Sequence, residues 1–230
     1  MQDVVILIPT YNPNEKLLKL VSELIKNNFL KIIIVNDGST NNLEIFDKLK
    51  NINECTILEY KTNKGKGYAL KYGIKYSLEN FSNQFKGIIT TDADYQHLPN
   101  DIKNISLKLL NNLDNVILGS RDFNEQQVPI LNRFGNKFTS FLFKLLYKTK
   151  IVDTQTGLRG IPNQHLPLCL KTEGDCFEYE MNMLINLTKE NINILEIPIK
   201  TIYYSKKESK FNKIIDSIKI YKVLFTKYLK

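Results

Sequence analysis

The sequence predicts an α/β fold, a mostly parallel sheet flanked by helices on both faces. Two observations carry this. Short apolar runs alternate with amphipathic stretches at helical spacing through the first half of the chain, the pattern of linked βαβ units. The chain also has 230 residues, 43% hydrophobic and 24% charged, which fits one sizeable core better than two.

The elements follow in order. Val4 to Ile8 reads as a buried strand. Asn12-Pro13-Asn14-Glu15 comes next, with Asn12 as N-cap, Pro13 at the first helical position and Glu15 at the third. Leu17, Leu18, Val21, Leu24 and Ile25 mark one face of the helix so opened. Ile32 to Val35 is a second strand, closed by Asp37-Gly38-Ser39, and Asn41 with Glu44 forms another capping pair before a helix to about Lys50. Thr56 to Tyr60 is a third strand. Gly65-Lys66-Gly67 leads into a helix through Ala69, Leu70 and Ile74. Gly87 to Thr91 and Val116 to Leu118 are the fourth and fifth strands. The second half is less regular: a helix over Phe134 to Tyr147, a strand over Gly157 to Ile161, a helix over Phe177 to Leu187 and a strand over Ile192 to Ile199. The tail from Phe211 to Lys230 reads as a basic amphipathic helix.

The net charge is +8 and the pI about 9.2, so an anionic partner is one reading and a solvated lysine surface the other. Nearly all of the positive charge is lysine, which makes the arginines, Arg121, Arg133 and Arg159, the more informative cations. No nucleic-acid module and no interleaving of basic and aromatic residues is present, so nucleic acid is not the expected partner. Cys55, Cys169 and Cys176 have no paired or metal-ligand spacing and are expected as reduced thiols. The first residues lack the marks of a signal peptide, and no window approaches the roughly 18 to 20 apolar residues of a membrane span.

In parallel sheets, ligands bind beyond the carboxyl ends of the strands. Thr10-Tyr11-Asn12, Asp37, Lys64-Gly65-Lys66, and Asp92 with Asp94 all fall there. Two carboxylates one residue apart at a strand end can hold a hard divalent cation, Mg²⁺ or Mn²⁺, with Gln96 adding a carbonyl oxygen. The alternative is a polar turn with Asp94 as a local cap.

Six stretches then add a resemblance: "VVILIPTYNPNEKL", "IIIVNDGST", "NKGKGYALKYGI", "TTDADYQHLP", "ILGSRDF" and "DTQTGLRGIP", in that order. "FEYEMNML" and "SKFN" extend it more weakly. Together they resemble the family 2 glycosyltransferases, and within them the dolichyl-phosphate mannosyltransferase-like, polyprenyl-phosphate group. The resemblance implies a GT-A fold in two parts. A catalytic domain would span 1–210, with about 1–120 for the nucleotide-sugar and 121–210 for the acceptor, and 211–230 would form the tail helix. Pro9, Thr10, Tyr11 and Asn12 match the loop against the nucleoside, and Asp37 matches the residue that reads the base, though Asp-Gly is also strong turn chemistry. Lys64, Gly65 and Lys66 match the loop near the nucleotide, or else a helix start with solvated lysines. Asp92, Ala93, Asp94 and Gln96 match the metal and diphosphate motif. His97 is expected in support, not as a base. The first motif usually continues Tyr-Asn-Glu; here Pro13-Asn14 intervene, which puts a ligand role for Glu15 in doubt.

The reaction so implied is inverting, metal-dependent transfer of a hexose from a UDP- or GDP-sugar to polyprenyl phosphate. Arg121, Arg133, Arg159 and Lys210 match the acceptor-phosphate side, where a planar guanidinium can grip phosphate oxygens in pairs. The alternative for these arginines is pairing with Asp122, Asp153 or a helix end. Glu178 and Glu180, with Asp153 as runner-up, are the candidate acid/base groups beside Asp94; either glutamate could instead serve a helix N-terminus. A saccharide hydroxyl, in surface-polysaccharide assembly, is the alternative acceptor, and a nucleotide-sugar-binding module without catalysis the alternative of another class. The tail, with Phe211, Ile214, Ile215, Ile218, Tyr221, Phe225 and Tyr228 on one face, either lies on anionic lipid or packs on the sheet. The expected location is cytoplasmic, peripheral at the inner face of the membrane.

Overall fold

The structure, a computed structural model, describes residues 2–81, 84–123, 130–200, 202 and 215–228. Its strands are β1 (Val4–Thr10), β2 (Ile32–Asp37), β3 (Cys55–Tyr60), β4 (Gly87–Thr90), β5 (Val116–Arg121), β6 (Arg159–Pro162) and β7 (Ile194–Ile199). Its helices are α1 (Glu15–Lys26), α2 (Glu44–Lys50), α3 (Lys66–Phe81), α4 (Pro99–Leu110), α5 (Ile130–Tyr147), α6 (Leu166–Lys171), α7 (Glu178–Lys189) and α8 (Ile215–Tyr228). The strands form one 7-stranded sheet in the order β3-β2-β1-β4-β6-β5-β7. All are parallel except β6, which runs antiparallel between β4 and β5. Arg159, the first residue of β6, therefore lies opposite Thr90 and Leu118, at the edge where the parallel strands end.

Burial on both faces explains why the strands read as unbroken apolar runs. In β1, Val5 and Leu7 join a core with Leu70, Ile74, Phe143 and Leu184 on one side. Val4, Ile6 and Ile8 join a second core with Leu17, Leu24, Phe46 and Ile105 on the other. Helices α3, α5, α6, α7 and α8 cover the first face, and α1, α2 and α4 the second.

The starts of α1 and α2 differ from the sequence expectation. Asn14, not Asn12, caps α1, its side chain accepting from Lys16 N–H. Asn12 instead adopts φ +48° and bonds across to the next loop: its N–H donates to Ser39 Oγ, and its Oδ1 accepts from Thr40 and Asn41 N–H. Asn41 is thereby engaged, and no side chain caps α2. A cap is worth only about 1 kcal/mol, so a neighbouring loop with three donors and acceptors to satisfy outweighs it. Two helices, α4 and α6, have no counterpart in the sequence expectations. Both carry proline in the first turn, and α4 buries Ile102, Ile105 and Leu109. The tail helix, as described from Ile215, buries Ile220 and Leu224 against its neighbours. Lys210, Phe211 and Ile214 lie outside the described residues. Among the described residues no helix is long and apolar enough to cross a membrane.

Candidate active site

The C-terminal edge of the sheet gathers the polar groups. Thr10 ends β1, buried, with its hydroxyl on Ile8 O; Pro9 is half-buried and Tyr11 exposed beside it. Asp37 ends β2 and is also buried, but its carboxylate is fully occupied. Oδ1 accepts from Tyr60 Oη (2.8 Å) and Lys64 N–H (2.7 Å), and Oδ2 from Asn63 Nδ2 (3.1 Å) and Gly65 N–H (3.0 Å). The aspartate ties the loop after β3 to the end of β2 and leaves Lys64 exposed, its Nζ over the Tyr68 ring at 4.4 Å.

That loop then delivers Lys66 into the middle of the site. Lys66 opens α3, and its Nζ lies 2.7 Å from Asp92 Oδ1 and 3.0 Å from Glu180 Oε2. Small residues make the approach possible. A Cβ on Gly65 would stand 2.4 Å from Asp175 O, and one on Gly67 2.4 Å from Tyr179 Cβ. The glycines thus let the residues leading into α7 sit directly on the start of α3, where Asp175 O accepts from Tyr68 N–H.

Asp92 follows β4. Burial alone would raise its carboxyl, but Lys66 first, then His97 and Arg121, hold it down at about 2. Burial likewise opposes the Lys66 charge, and Asp92 and Glu180 more than restore it, keeping the ammonium above its usual range. His97 is pushed down to about 4 by burial and is neutral at pH 7. Its Nδ1 accepts from Asp92 N–H, which leaves the ring proton on Nε2, facing Asp92 Oδ2 at 4.0 Å. That supports Asp92 and is no base position. Asp94 behaves differently: burial, then the charge of Asp92, push it up to about 6, although its Oδ1 accepts from Gln96 N–H. Gly157 seats the pair. Its carbonyl accepts from Thr90 Oγ1, and a Cβ there would stand 2.5 Å from Asp92 Oδ2. Gly157 lies in one of the matching stretches, but nothing in the sequence showed that its missing side chain makes room for Asp92.

The arginines divide into two situations. Arg121, at the end of β5, grips Asp153 with Nε at 2.6 Å and Nη2 at 2.9 Å and lies over the Phe123 ring. Asp153 is wholly buried with both oxygens on this fork, so it orients Arg121 and does not offer a free carboxylate. Arg159 is 1% exposed. Its Nε donates to Thr156 O and its Nη1 to Glu180 O, so it braces the loop before β6 against α7 and is not open to a ligand phosphate. Among the described residues Arg159 forms no ion pair, whereas Arg121 forms the one with Asp153 that was its alternative. Arg133 is half-buried in the first turn of α5. Glu178 Oε1 accepts from Asp175 and Cys176 N–H, the helix-terminal role, whereas Glu180 reaches Lys66. Of the acid/base candidates, then, only Asp94 and Glu180 stand with Asp92.

Whether a divalent ion fits is a question of donors. Among the described residues no group of three or more acidic, His or Cys side chains gathers at one point. Magnesium and manganese, however, commonly take one or two carboxylates and draw the rest from substrate phosphates and water. Asp94 is raised by burial and then by the charge of Asp92, which a cation placed between the two carboxylates would relieve. Asp92 and Asp94, close enough for the charge of one to raise the other, have the chemistry that such an ion takes.

Residues 5–165 match the profile of Glycosyl transferase family 2. The chain belongs to this family. It is 30% identical to the UDP-N-acetylglucosamine–dolichyl-phosphate N-acetylglucosaminyltransferase of Methanococcus voltae, across 97% of this chain and 96% of that enzyme. It is 25% identical to a dolichyl-phosphate beta-glucosyltransferase of Trichomonas vaginalis, across 87% of this chain and 66% of that one. Its fold is shared with Mycobacterium tuberculosis glucosyl-3-phosphoglycerate synthase, solved with Mn²⁺, UDP and phosphoglyceric acid: TM-score 0.71 at 12% identity, over 99% of this chain and 78% of that one. Mannosyl-3-phosphoglycerate synthase of Rubrobacter xylanophilus gives TM-score 0.70 at 12% identity, over 99% and 72%. The chain is a glycosyltransferase of GT-A fold and resembles the polyprenyl-phosphate group.

Proposed function

We propose that this glycosyltransferase moves a hexose or N-acetylhexosamine from a UDP-sugar to polyprenyl phosphate, with inversion and with a divalent ion. The observation that carries the reading is the cluster Asp92–Lys66–Glu180 with Asp94 beside it, at the end of parallel strands, with Arg121 near enough to bear on the charge of Asp92. The relative named for dolichyl phosphate, similar over nearly the full length of both chains, supports the acceptor and the uridine donor.

In this reading an acceptor phosphate oxygen forms the bond to the anomeric carbon as the bond to the nucleoside diphosphate breaks. Negative charge grows on the leaving diphosphate. Lys66, ammonium throughout the working range, offsets it at a fixed position. A divalent ion on Asp92, Asp94 and Gln96 would supply Lewis-acid stabilisation of the same charge. The acceptor needs little base: a phosphate monoester, with its second pKa near ~6, is already anionic at neutral pH. It needs a cation held in place, and Asp153 holds the Arg121 fork. Asp37 and the Thr10–Asn12 loop frame the nucleoside.

The test is transfer of labelled sugar from a panel of UDP- and GDP-sugars to polyprenyl phosphate, with Mn²⁺ or Mg²⁺ and with EDTA. Metal-dependent product in the lipid phase from a UDP-sugar is expected. Binding of the donor without lipid product would overturn the acceptor; product undiminished in EDTA would overturn the metal.

A further inference from the structure

Strand β7 carries an acidic residue where its neighbours are apolar. Leu195, Ile197 and Ile199 pack into the core on the side of α1, α2 and α4, and Ile194 into the core on the other side. Side chains alternate along a strand, so Glu196 shares the face of Ile194. A half-buried carboxylate there needs donors, and it meets two consecutive backbone N–H groups. Val152 N–H donates to both carboxylate oxygens at 2.9 Å, and Asp153 N–H to Oε1 at 3.1 Å. Hydrogen bonds to an ionised acceptor are roughly twice as strong as neutral ones, so this clasp is a firm one.

Helix α5 holds the same turn from its carbonyl side. Asn136 Nδ2 donates to Val152 O at 2.7 Å, and Ser140 Oγ donates to Ile151 O. The side chain carried by the turn is Asp153, wholly buried and directed back onto β5. It accepts from Arg121 Nε at 2.6 Å, from Nη2 at 2.9 Å and from the Arg121 backbone N–H at 3.2 Å. Glu196 itself pairs with Leu118, upstream of Arg121 on the same strand. The relay therefore closes on itself. Strand β7 holds the turn, the turn holds Asp153, and Asp153 holds the side chain at the end of the strand that β7 pairs. A planar guanidinium serves as a fork for an anion only where its plane is fixed. Asp153 fixes that plane, and the clasp on its own backbone fixes Asp153.

We propose that Glu196 is a positioning residue for the transfer reaction: by holding the Val152–Asp153 turn it sets the Asp153 carboxylate, and through it the plane of the Arg121 guanidinium that meets an anionic acceptor. The last clause rests on the proposed acceptor; the relay from Glu196 to Arg121 does not. The relay is read by nitrogen–proton correlation NMR on the arginine Nε–H signals of the full chain. The Arg121 signal is the one absent from Arg121→Lys, a variant that keeps a cation beside the buried Asp153. In Glu196→Ala that signal should shift or broaden. Ile197→Ala, which loosens the opposite face of the same strand, should leave it in place. In steady-state kinetics Glu196→Ala should raise acceptor KM about tenfold or more and leave donor KM within about twofold. In an Arg121→Lys background the same substitution should add less than about threefold, because the two residues act as one unit. Glu196→Gln keeps one oxygen for both N–H groups and should show the same changes at smaller size; it decides the question where the alanine variant does not fold.

An Arg121 signal unmoved in both Glu196 variants, or moved as far by Ile197→Ala, overturns the relay. So does a rise in acceptor KM from Glu196→Ala that is as large beside Arg121→Lys as without it. A moved signal, with acceptor KM unchanged in both Glu196→Ala and Arg121→Lys, leaves the relay standing and sinks the proposed acceptor side instead.

Discussion

Asp37 and Asp92 stand at the ends of β2 and β4, the two strands that flank β1, and the molecule treats them in opposite ways. Asp37 is met by neutral donors, two of them backbone N–H groups of the loop that follows β3, and the result is closed and local. Asp92 is met by an ammonium that is shared with Glu180 on the distant helix α7, and the next carboxylate, Asp94, is raised by burial and by the charge of Asp92 more than Lys66 and Lys16 lower it. One aspartate is finished by the fold. The other belongs to a charge arrangement that spans three elements, with a second carboxylate raised beside it.

The sharpest way to break this contrast is to neutralise each aspartate in turn. Asp92→Asn removes the anion that holds Lys66 and a ligand of the proposed ion. Transfer should fall about 10³-fold, in the range for losing a preorganised electrostatic group, and stability at pH 7 should fall with it, because the ionised Asp92 favours the fold. Asp37→Asn should differ in its kinetics. An amide there turns an NH₂ toward Asn63 Nδ2 and Gly65 N–H, donors against donors, so stability should drop by about 1 to 3 kcal/mol. Activity should fall through donor KM, with kcat nearly kept. Chemical denaturation and steady-state kinetics on both variants decide it; equal losses of kcat would erase the distinction.

Gly157 gives the next largest effect. In Gly157→Ala the new methyl would lie 2.5 Å from Asp92 Oδ2 and 2.8 Å from Oδ1, so the carboxylate must move off Lys66. A displacement near an ångström costs on the order of 10²-fold in a positioned reaction, and that loss in kcat is expected. Gly135→Ala is the control. Nothing lies within 4 Å of a Cβ there, and alanine in a helix interior should raise stability by up to about 1 kcal/mol with activity unchanged.

The same contrast marks where sequence reading works. The first half of the chain was legible because its strands are buried on both faces and end in polar loops: Val4–Ile8 and Ile32–Val35 announce themselves as unbroken apolar runs. The motifs that fall on those loops come together as the topology rule requires. What was not legible depends on tertiary partners. Asn12 and Asn14 both look like caps, and only the presence of the Ser39–Asn41 loop decides between them. Arginine reads as a ligand-binding cation, and nothing local reveals that Arg159 is buried with Nε on Thr156 O and Nη1 on Glu180 O. The direction of a four-residue strand such as β6 has no signature in its own residues. The apolar periodicity of α5 was visible, but periodicity does not say which face the core takes.

Asp94 offers the smallest and most specific effect, a pH dependence with a definite sign. Its carboxyl is raised to about 6 in the fold, above its ordinary value, so the protonated form suits the ligand-free protein and that contribution to stability fades as pH rises through about 6. Asp92 runs the other way. Held at about 2, it favours the fold above the ordinary carboxylate range and loses that benefit only in strong acid. Between pH 5 and 7, then, Asp94 alone of the pair titrates. A divalent ion requires it ionised, so Mn²⁺ affinity should weaken about tenfold per pH unit below 6 and level off above. The rise in Tm on adding Mn²⁺ should be small at pH 5 and full by pH 7.5. Asp94→Asn should flatten the profile and weaken the metal at every pH. A profile that keeps its slope in that variant would assign the titration to another group and with it remove Asp94 from the ion's ligands.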